Sequence, residues 1–369
     1  MIDSIADITR RSRPAVQAQR VLHDLRRRII DGTYAPGGRL PTRLELEREF
    51  EVSLGTVQRA FEFLAEDGFI RAQGRDGTFV VDHPPHLARY GLVLPSYASA
   101  ARQYWSQHWI AMADQAAAIE RESDRRVPLL FSAHGRGDMP EFKQIIREIR
   151  HQRLAGLIFV PIPSELRNTP ILDLPNTPRV VVGNEPFDGI PAVATDQSQL
   201  MAAMVEALVA RGKRRIVVVA YPAPSPFTGW GQALRNAGLE LKSYSIQPTT
   251  TDTVSSTCHL LMQLKGEDRP DGLIIADDNL ITGAISGLVA AGVRGPADLE
   301  IVAHTNFPCP VASALPVTRV GFDCGAVLRR CIEIIDQQRR GETPAPVTSV
   351  PATTEHALAS LSAPMGSLS

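Results

Sequence analysis

Residues Leu40–Val81 read LPTRLELEREFEVSLGTVQRAFEFLAEDGFIRAQGRDGTFVV. Thr42 is a good N-cap, Glu45 three residues on completes a capping box, and Leu46 and Phe50 fall on one face, so a first helix opens here. A tight turn at Glu51-Val52-Ser53 follows, with Ser53 capping a second helix. In that helix Val57, Ala60, Phe61 and Leu64 repeat at i, i+3, i+4, i+7 and form an apolar stripe. Leu54, Gly55, Thr56, Gln58 and Arg59 are left to face outward. Beyond Asp67-Gly68, two short β-branched or aromatic runs, 69–72 and 78–81, flank the glycine-bearing turn Gln73–Gly77, the pattern of a hairpin.

In order and spacing these residues resemble the winged-helix head of the gluconate-repressor (GntR) family of bacterial transcription factors. The resemblance rests on Leu40-Pro41, Glu45-Leu46, Phe50, Val52-Ser53, Thr56-Val57, Ala60, Leu64, Gly68, Ile70, Gln73-Gly74 and Gly77-Thr78-Phe79-Val80. It implies double-stranded DNA as partner, read by the second helix with the hairpin as a wing. The residues implied at DNA are Thr42, Arg43, Ser53, Leu54, Gly55, Thr56, Gln58, Arg59, Gly74, Arg75 and Gly77. Three departures stand out. Leu44 and Leu54 replace usual arginines, Gln58 replaces the first member of a basic pair, and Asp76 adds a residue to the wing turn, so site preference should differ from the family's commonest pattern.

Upstream, Val21, Leu25 and Ile29 at i, i+4, i+8 predict a supporting helix over 16–30. Residues 1–82 hold 13 Arg, no Lys and 13 Asp or Glu, so the head is neutral and any DNA face must come from segregated charge. Candidates for phosphate contacts are Arg10, Arg11, Arg13, Arg43, Arg59, Arg71 and Arg75; for each the alternative is a solvated surface. Downstream, the two prolines of Asp82-His83-Pro84-Pro85 disfavour helix, which makes residues 83–89 an extended linker.

From Tyr90 the pattern becomes short apolar runs alternating with helical stretches, such as YGLVLP, LAGLIFVP, RRIVVVA and DGLIIA, the sign of parallel sheets covered by helices. Two similar α/β halves are expected over 90–358, followed by a small, polar, disordered tail over 359–369. This part resembles the effector domain of the lactose and purine repressor (LacI) family, itself similar to periplasmic sugar-binding proteins. The resemblance is carried by Val193–Asp196, Arg211–Ile216, Gly229-Trp230, Pro270–Asp278 with Gly283, and Pro296–Val302. The implied architecture is multidomain: a winged helix-turn-helix (α+β) head plus a two-lobed α/β domain of periplasmic-binding-protein-like type I.

In such a domain both lobes point their strand ends at a shared crevice. By position it should receive Tyr104, Trp105, Asn184, Glu185, Phe227, Trp230, Asp277 and Asn306. Each has ordinary packing as its alternative, Trp230 most of all. Pro226 stands where an arginine usually clamps the ligand, so a neutral small-molecule effector, a sugar or related metabolite, is expected.

At 369 residues and 44% hydrophobic composition the chain has material for two or three cores, and it shows neither a long apolar run nor a secretory leader. A cytoplasmic homodimer follows as the expectation, with no cofactor and no membrane. Cys258, Cys309, Cys324 and Cys331 have no metal-type spacing and read as core thiols, with Cys324 and Cys331 two turns apart on one helix face. No GxSxG, HExxH, P-loop or GxGxxG-with-acid motif supports an enzyme. Two alternatives remain, a regulator of non-sugar ligand and an architectural DNA-binding protein with none.

Overall fold

A computed structural model describes residues 3–222 and 226–362. Its head is built from the helices Asp3–Ile30, Arg43–Phe50 and Leu54–Glu66 and the antiparallel pair Ile70–Ala72 and Thr78–Val80. The capping box forms: the Glu45 N–H donates to Thr42 Oγ1 at 3.3 Å, and the Thr42 N–H donates to Glu45 Oε2 at 2.7 Å. Ser53 Oγ accepts from the Thr56 N–H at 3.3 Å and opens the next helix. Between the two, Glu51 takes a left-handed conformation, φ 53°, that stops the first helix and turns the chain.

Val21, Leu25, Ile29, Leu46, Val57, Ala60, Leu64, Phe69 and Val80 meet in one buried cluster. Each large member stabilises the head by about 1.5–3 kcal/mol relative to exposure. The supporting helix starts well before the expected Val16. Thr56 does not face outward; it is 5% exposed, and its hydroxyl lies 2.9 Å from that of Ser53. Residues 83–89 are extended at Pro84 and Arg89 but not between them. Pro85 sits at the first position of a one-turn helix, Pro85–Ala88, where its missing N–H costs nothing, and His86 stacks on Phe69 with ring centroids 5.7 Å apart.

The remainder forms two six-stranded sheets. In the first lobe the spatial order is Val347–Val350, Ala192–Thr195, Arg179–Val182, Gly156–Phe159, Tyr90–Leu94 and Leu129–Phe131, all parallel. In the second it is Thr353–Thr354, Thr318–Asp323, Glu300–Phe307, Gly272–Ile275, Ile216–Ala220 and Ile246–Pro248, parallel but for the two-residue edge. Every residue of Tyr90–Leu94 and of Ile216–Ala220 is buried, because helices cover both faces. Gln107–Glu122 and Cys324–Arg339 cover one face of the first sheet and Pro140–Arg150 the other. Gln197–Val209 and Pro226–Asn236 cover one face of the second, and Val254–Leu261 with Ile281–Ala290 the other.

The chain passes between lobes at 195–197, 323–324 and 350–353. Close packing near these crossings demands glycine at Gly321, where a Cβ would lie 1.7 Å from the Thr305 carbonyl oxygen. Cys324 and Cys331 are both buried on one side of their helix, as the seven-residue spacing suggested. The helix Glu355–Ser362 takes the first residues of the tail expected to be disordered; 363–369 lie outside the described residues. Among the described residues no helix is long and apolar enough to cross a membrane.

Candidate functional site

On the head, the helix Leu54–Glu66 turns its apolar stripe inward and leaves Leu54, Gly55 and Arg59 exposed and Gln58 half-buried. Leu44 and Leu54, the two leucines in place of arginines, are 49% and 46% exposed, so they present apolar surface where charge was the family's habit. Gln58 Nε2 donates to Glu62 Oε1 at 2.9 Å. In the wing, the extra Asp76 is absorbed by a single tight turn over Gly74–Asp76, closed by the Gln73 N–H donating to the Gly77 carbonyl at 2.8 Å. Gly77 has φ 115° with the Arg39 guanidinium against it, so a side chain there meets both strain and collision. Thr42, Arg43, Ser53, Arg59 and Arg75 are exposed; among the described residues Arg43, Arg59 and Arg75 stand outside any ion pair, whereas Arg71 pairs with Asp82 at 3.1 Å. The side chains of Arg10, Arg11 and Arg13 lie outside the described residues.

Asp67 ends the Leu54–Glu66 helix and joins head to first lobe. Its Oδ2 accepts from Arg26 and lies 3.3 Å from His151 Nδ1, and its Oδ1 accepts from Arg153 at 2.8 Å. Arg153 also grips both oxygens of Glu148, whose Oε2 takes a further bond from Arg89. Every oxygen of these two carboxylates is therefore used. Arg26 is only 2% exposed; burial draws its pKa down and Asp67 opposes the shift.

The crevice between the lobes has a volume of about 670 Å³ and is lined by the carboxyl ends of strands from both sheets. Four of the eight anticipated residues line it: Asn184 and Glu185 after Arg179–Val182, Asp277 after Gly272–Ile275, and Asn306 within Glu300–Phe307. Two do not. Trp105 packs against the first lobe's core with its ring 5.9 Å from Phe131, and Trp230, 3% exposed, belongs to the second lobe's core. Both lie where a large apolar ring gains more from the core than from a wet cleft. The side chains of Tyr104 and Phe227 lie outside the described residues.

Asp277 is partly committed, its Oδ1 accepting from the Asn279 N–H at 2.9 Å and side-chain amide at 2.7 Å. Its neighbour Asp278 is the deeper group, 2% exposed. Asp278 Oδ2 accepts from the Asn306 N–H at 3.0 Å and Nδ2 at 2.8 Å, while Oδ1 has no partner among the described residues. Burial pushes the Asp278 carboxyl above the usual carboxylate range, against His304 and the Asn306 bonds. His304 Nδ1 is likewise unpartnered.

The lobes already touch across this floor. His108 Nδ1 lies 3.0 Å from Asn306 Oδ1, and the Gln107 N–H donates to Asn279 Oδ1 at 2.9 Å. Burial lowers the His108 pKa, so its imidazole is held toward the neutral form.

Sequence reasoning missed His108, Asp278 and His304. The signal for His304 was present: it stands two residues before Asn306 in one strand and so shares its face.

Residues 17–80 match the bacterial regulatory proteins of the gntR family, and residues 205–356 match the periplasmic binding protein-like domain. An arabinose metabolism transcriptional repressor of Halalkalibacterium halodurans is 23% identical over 339 residues, 85% of this chain and 88% of that protein. An HTH-type transcriptional regulator of Mycobacterium tuberculosis is 36% identical over 92 residues, 24% of this chain and 76% of that one. The crystal structure of a LacI-family regulatory protein from Chloroflexus aggregans shares the fold, with a TM-score of 0.55 at 20% identity over 72% of this chain and 96% of its own. That of the Escherichia coli transcriptional repressor ascG covers 72% and 97% with a TM-score of 0.54 at 17% identity. The chain belongs to the gntR family of bacterial regulatory proteins, as a DNA-binding transcription regulator whose head is joined to a two-lobed periplasmic-binding-protein-like domain.

Proposed function

We propose that this regulator is a cytoplasmic, homodimeric repressor that leaves a palindromic operator when a small sugar fills the crevice. One observation carries the reading: Asp67 closes the exposed Leu54–Glu66 helix and is held by Arg153 of the lobe that forms half of the crevice. A ligand that shifts this lobe therefore acts on the end of the helix that meets DNA. The relatives named as arabinose metabolism repressors support a sugar as effector. The crevice volume suits a mono- or disaccharide.

On DNA, Leu54–Glu66 enters the major groove. Gln58 releases Glu62 and pairs bidentately with an adenine, exposed Leu54 meets a thymine methyl, and Arg43, Arg59 and Arg75 take phosphates. Thr42, Ser53, Gly55, Gly74 and Gly77 hold the backbone close to DNA; buried Thr56 acts by orienting the Ser53 cap. Two heads related by a dyad supply the contacts that one lacks.

Selection of bound sequences from a random DNA pool should return an inverted repeat. Gln58→Ala should lose about 1–3 kcal/mol of discrimination at one base pair per half-site. An unchanged selected site would remove Gln58 from the reading. Sedimentation of the full chain at micromolar concentration should show a dimer, and arabinose or a related sugar should both raise Tm and release the operator. A sugar that stabilises the protein yet leaves the operator bound would defeat the proposed switch.

A further inference from the structure

Three carboxylates, Glu185, Asp277 and Asp278, line the crevice, and among the described residues no lysine or arginine does. The cations nearest in sequence to its lining residues are engaged elsewhere, Arg102 by Asp114, Arg179 by the Ile171 and Leu174 carbonyls and Arg319 by Glu355. The segment 223–228, Ala-Pro-Ser-Pro-Phe-Thr, contains no basic residue. The lining also carries two imidazoles, His108 and His304. An imidazole is not a permanent cation, so among the described residues these carboxylates have no fixed counter-charge in the crevice. Asp278 adds a separate observation, being almost wholly buried with one carboxylate oxygen unused.

Neutral hydroxyls can donate to these carboxylates but leave their charge without an opposite partner. An acid or phosphate ester would meet it with repulsion and no counter-charge. We infer that the effector carries a cationic amine beside its hydroxyls, an amino sugar or amino polyol, with the ammonium seated against Asp278. The inference rests on the effector reading above and narrows its chemical class. Asn184, Asn279, Gln197 and Thr195 supply the amides and hydroxyl that meet a polyol's remaining groups. An ammonium offers three donors to the unused oxygen and its surroundings, whereas a hydroxyl offers one. It also restores the ionised form of a carboxyl that burial biases toward protonation.

The experiment is calorimetric titration of the full-length protein with matched pairs: L-arabinose and 4-amino-4-deoxy-L-arabinose, D-galactose and D-galactosamine, D-glucose and D-glucosamine. In at least one pair the amine should bind at least tenfold tighter than its parent at low salt, with the ratio shrinking as NaCl is added. Asp278→Asn, which keeps an acceptor for Asn306, should collapse that ratio to below threefold. Glu185→Gln, at the exposed rim and without consequence for folding, should lower it by a smaller factor.

Parents that bind as tightly as their amines in every pair overturn the inference and leave the sugar reading standing. A preference that survives Asp278→Asn also overturns it. Failure of all six compounds to bind overturns the sugar reading itself, and the inference with it.

Discussion

Two sets of buried carboxylates in this chain differ in how completely they are paired. At the joint between head and first lobe, Asp67 and Glu148 spend all four oxygens on Arg26, Arg89 and Arg153. At the crevice floor Asp278 spends one oxygen on Asn306 and leaves the other idle. A buried polar group left short of partners costs stability, so its persistence needs a reason outside the empty fold. Full pairing of Asp67 and Glu148 fits a structural role, and the idle oxygen of Asp278, in the wall of a crevice, fits a place kept for something that binds. The difference also separates parts of one switch: the joint transmits, and the crevice receives.

The largest expected effect comes from breaking the saturated set. Asp67→Ala leaves the Arg26 guanidinium buried without its counter-charge, and removing one partner of a buried pair costs about 3–5 kcal/mol. Urea denaturation should show that loss. Because Asp67 also ends the Leu54–Glu66 helix, the head should become more protease-sensitive than the lobes. A loss below about 1 kcal/mol would mean that the joint contributes no more than a surface ion pair.

The deficit predicts an effect of opposite sign. Asp278→Asn keeps an oxygen to accept both Asn306 donors and removes a buried charge, so the ligand-free protein should gain about 0.5–2 kcal/mol, as functional sites commonly do when neutralised. Thermal denaturation without effector measures it. A destabilised variant would mean that Asp278 is structural and that the two sets do not differ in kind.

The two regions were not equally legible in the sequence. The head was read almost element by element, because capping residues, the four-residue stripe and the hairpin glycines are local signals. Thr56 was misplaced for a local reason as well: at the third position after Ser53 its hydroxyl serves the cap rather than the solvent. The alternating apolar runs gave both sheets. The joint was invisible, since Asp67 and Arg153 lie 86 residues apart and nothing in either neighbourhood announces the other. In the crevice, positions at strand ends were legible and depth was not. Asp277 and Asp278 are adjacent, and only the packed structure tells which carboxylate goes down. The tryptophans misled because an aromatic ring near a loop suits a cleft and a core equally well until its neighbours are known.

The smallest predicted effect distinguishes the regions by pH. His86, beside the joint on Phe69, is held down to about 4 by burial and then by Arg339, from an ordinary value of 6.5. Its folded pKa is depressed, so the unfolded chain takes up the proton first. The stability it contributes is present above about pH 6.5 and is lost as pH falls through about 4. Asp278 runs the other way. Its folded pKa is raised above the unfolded value of about 3.9, so the native state keeps a proton that the unfolded chain has released, and stability falls as pH rises through the folded pKa. Between pH 4 and 6.5 the joint therefore weakens on acidification while the crevice floor relaxes. His86→Phe retains a ring against Phe69 without a titrating group and should flatten the acid loss of Tm in that window. The stability advantage of Asp278→Asn over the parent should vanish near pH 4 and grow as pH rises. Curves of Tm against pH for both variants that run parallel to the parent's would show that neither group titrates with folding, and the two regions would then differ in pairing alone.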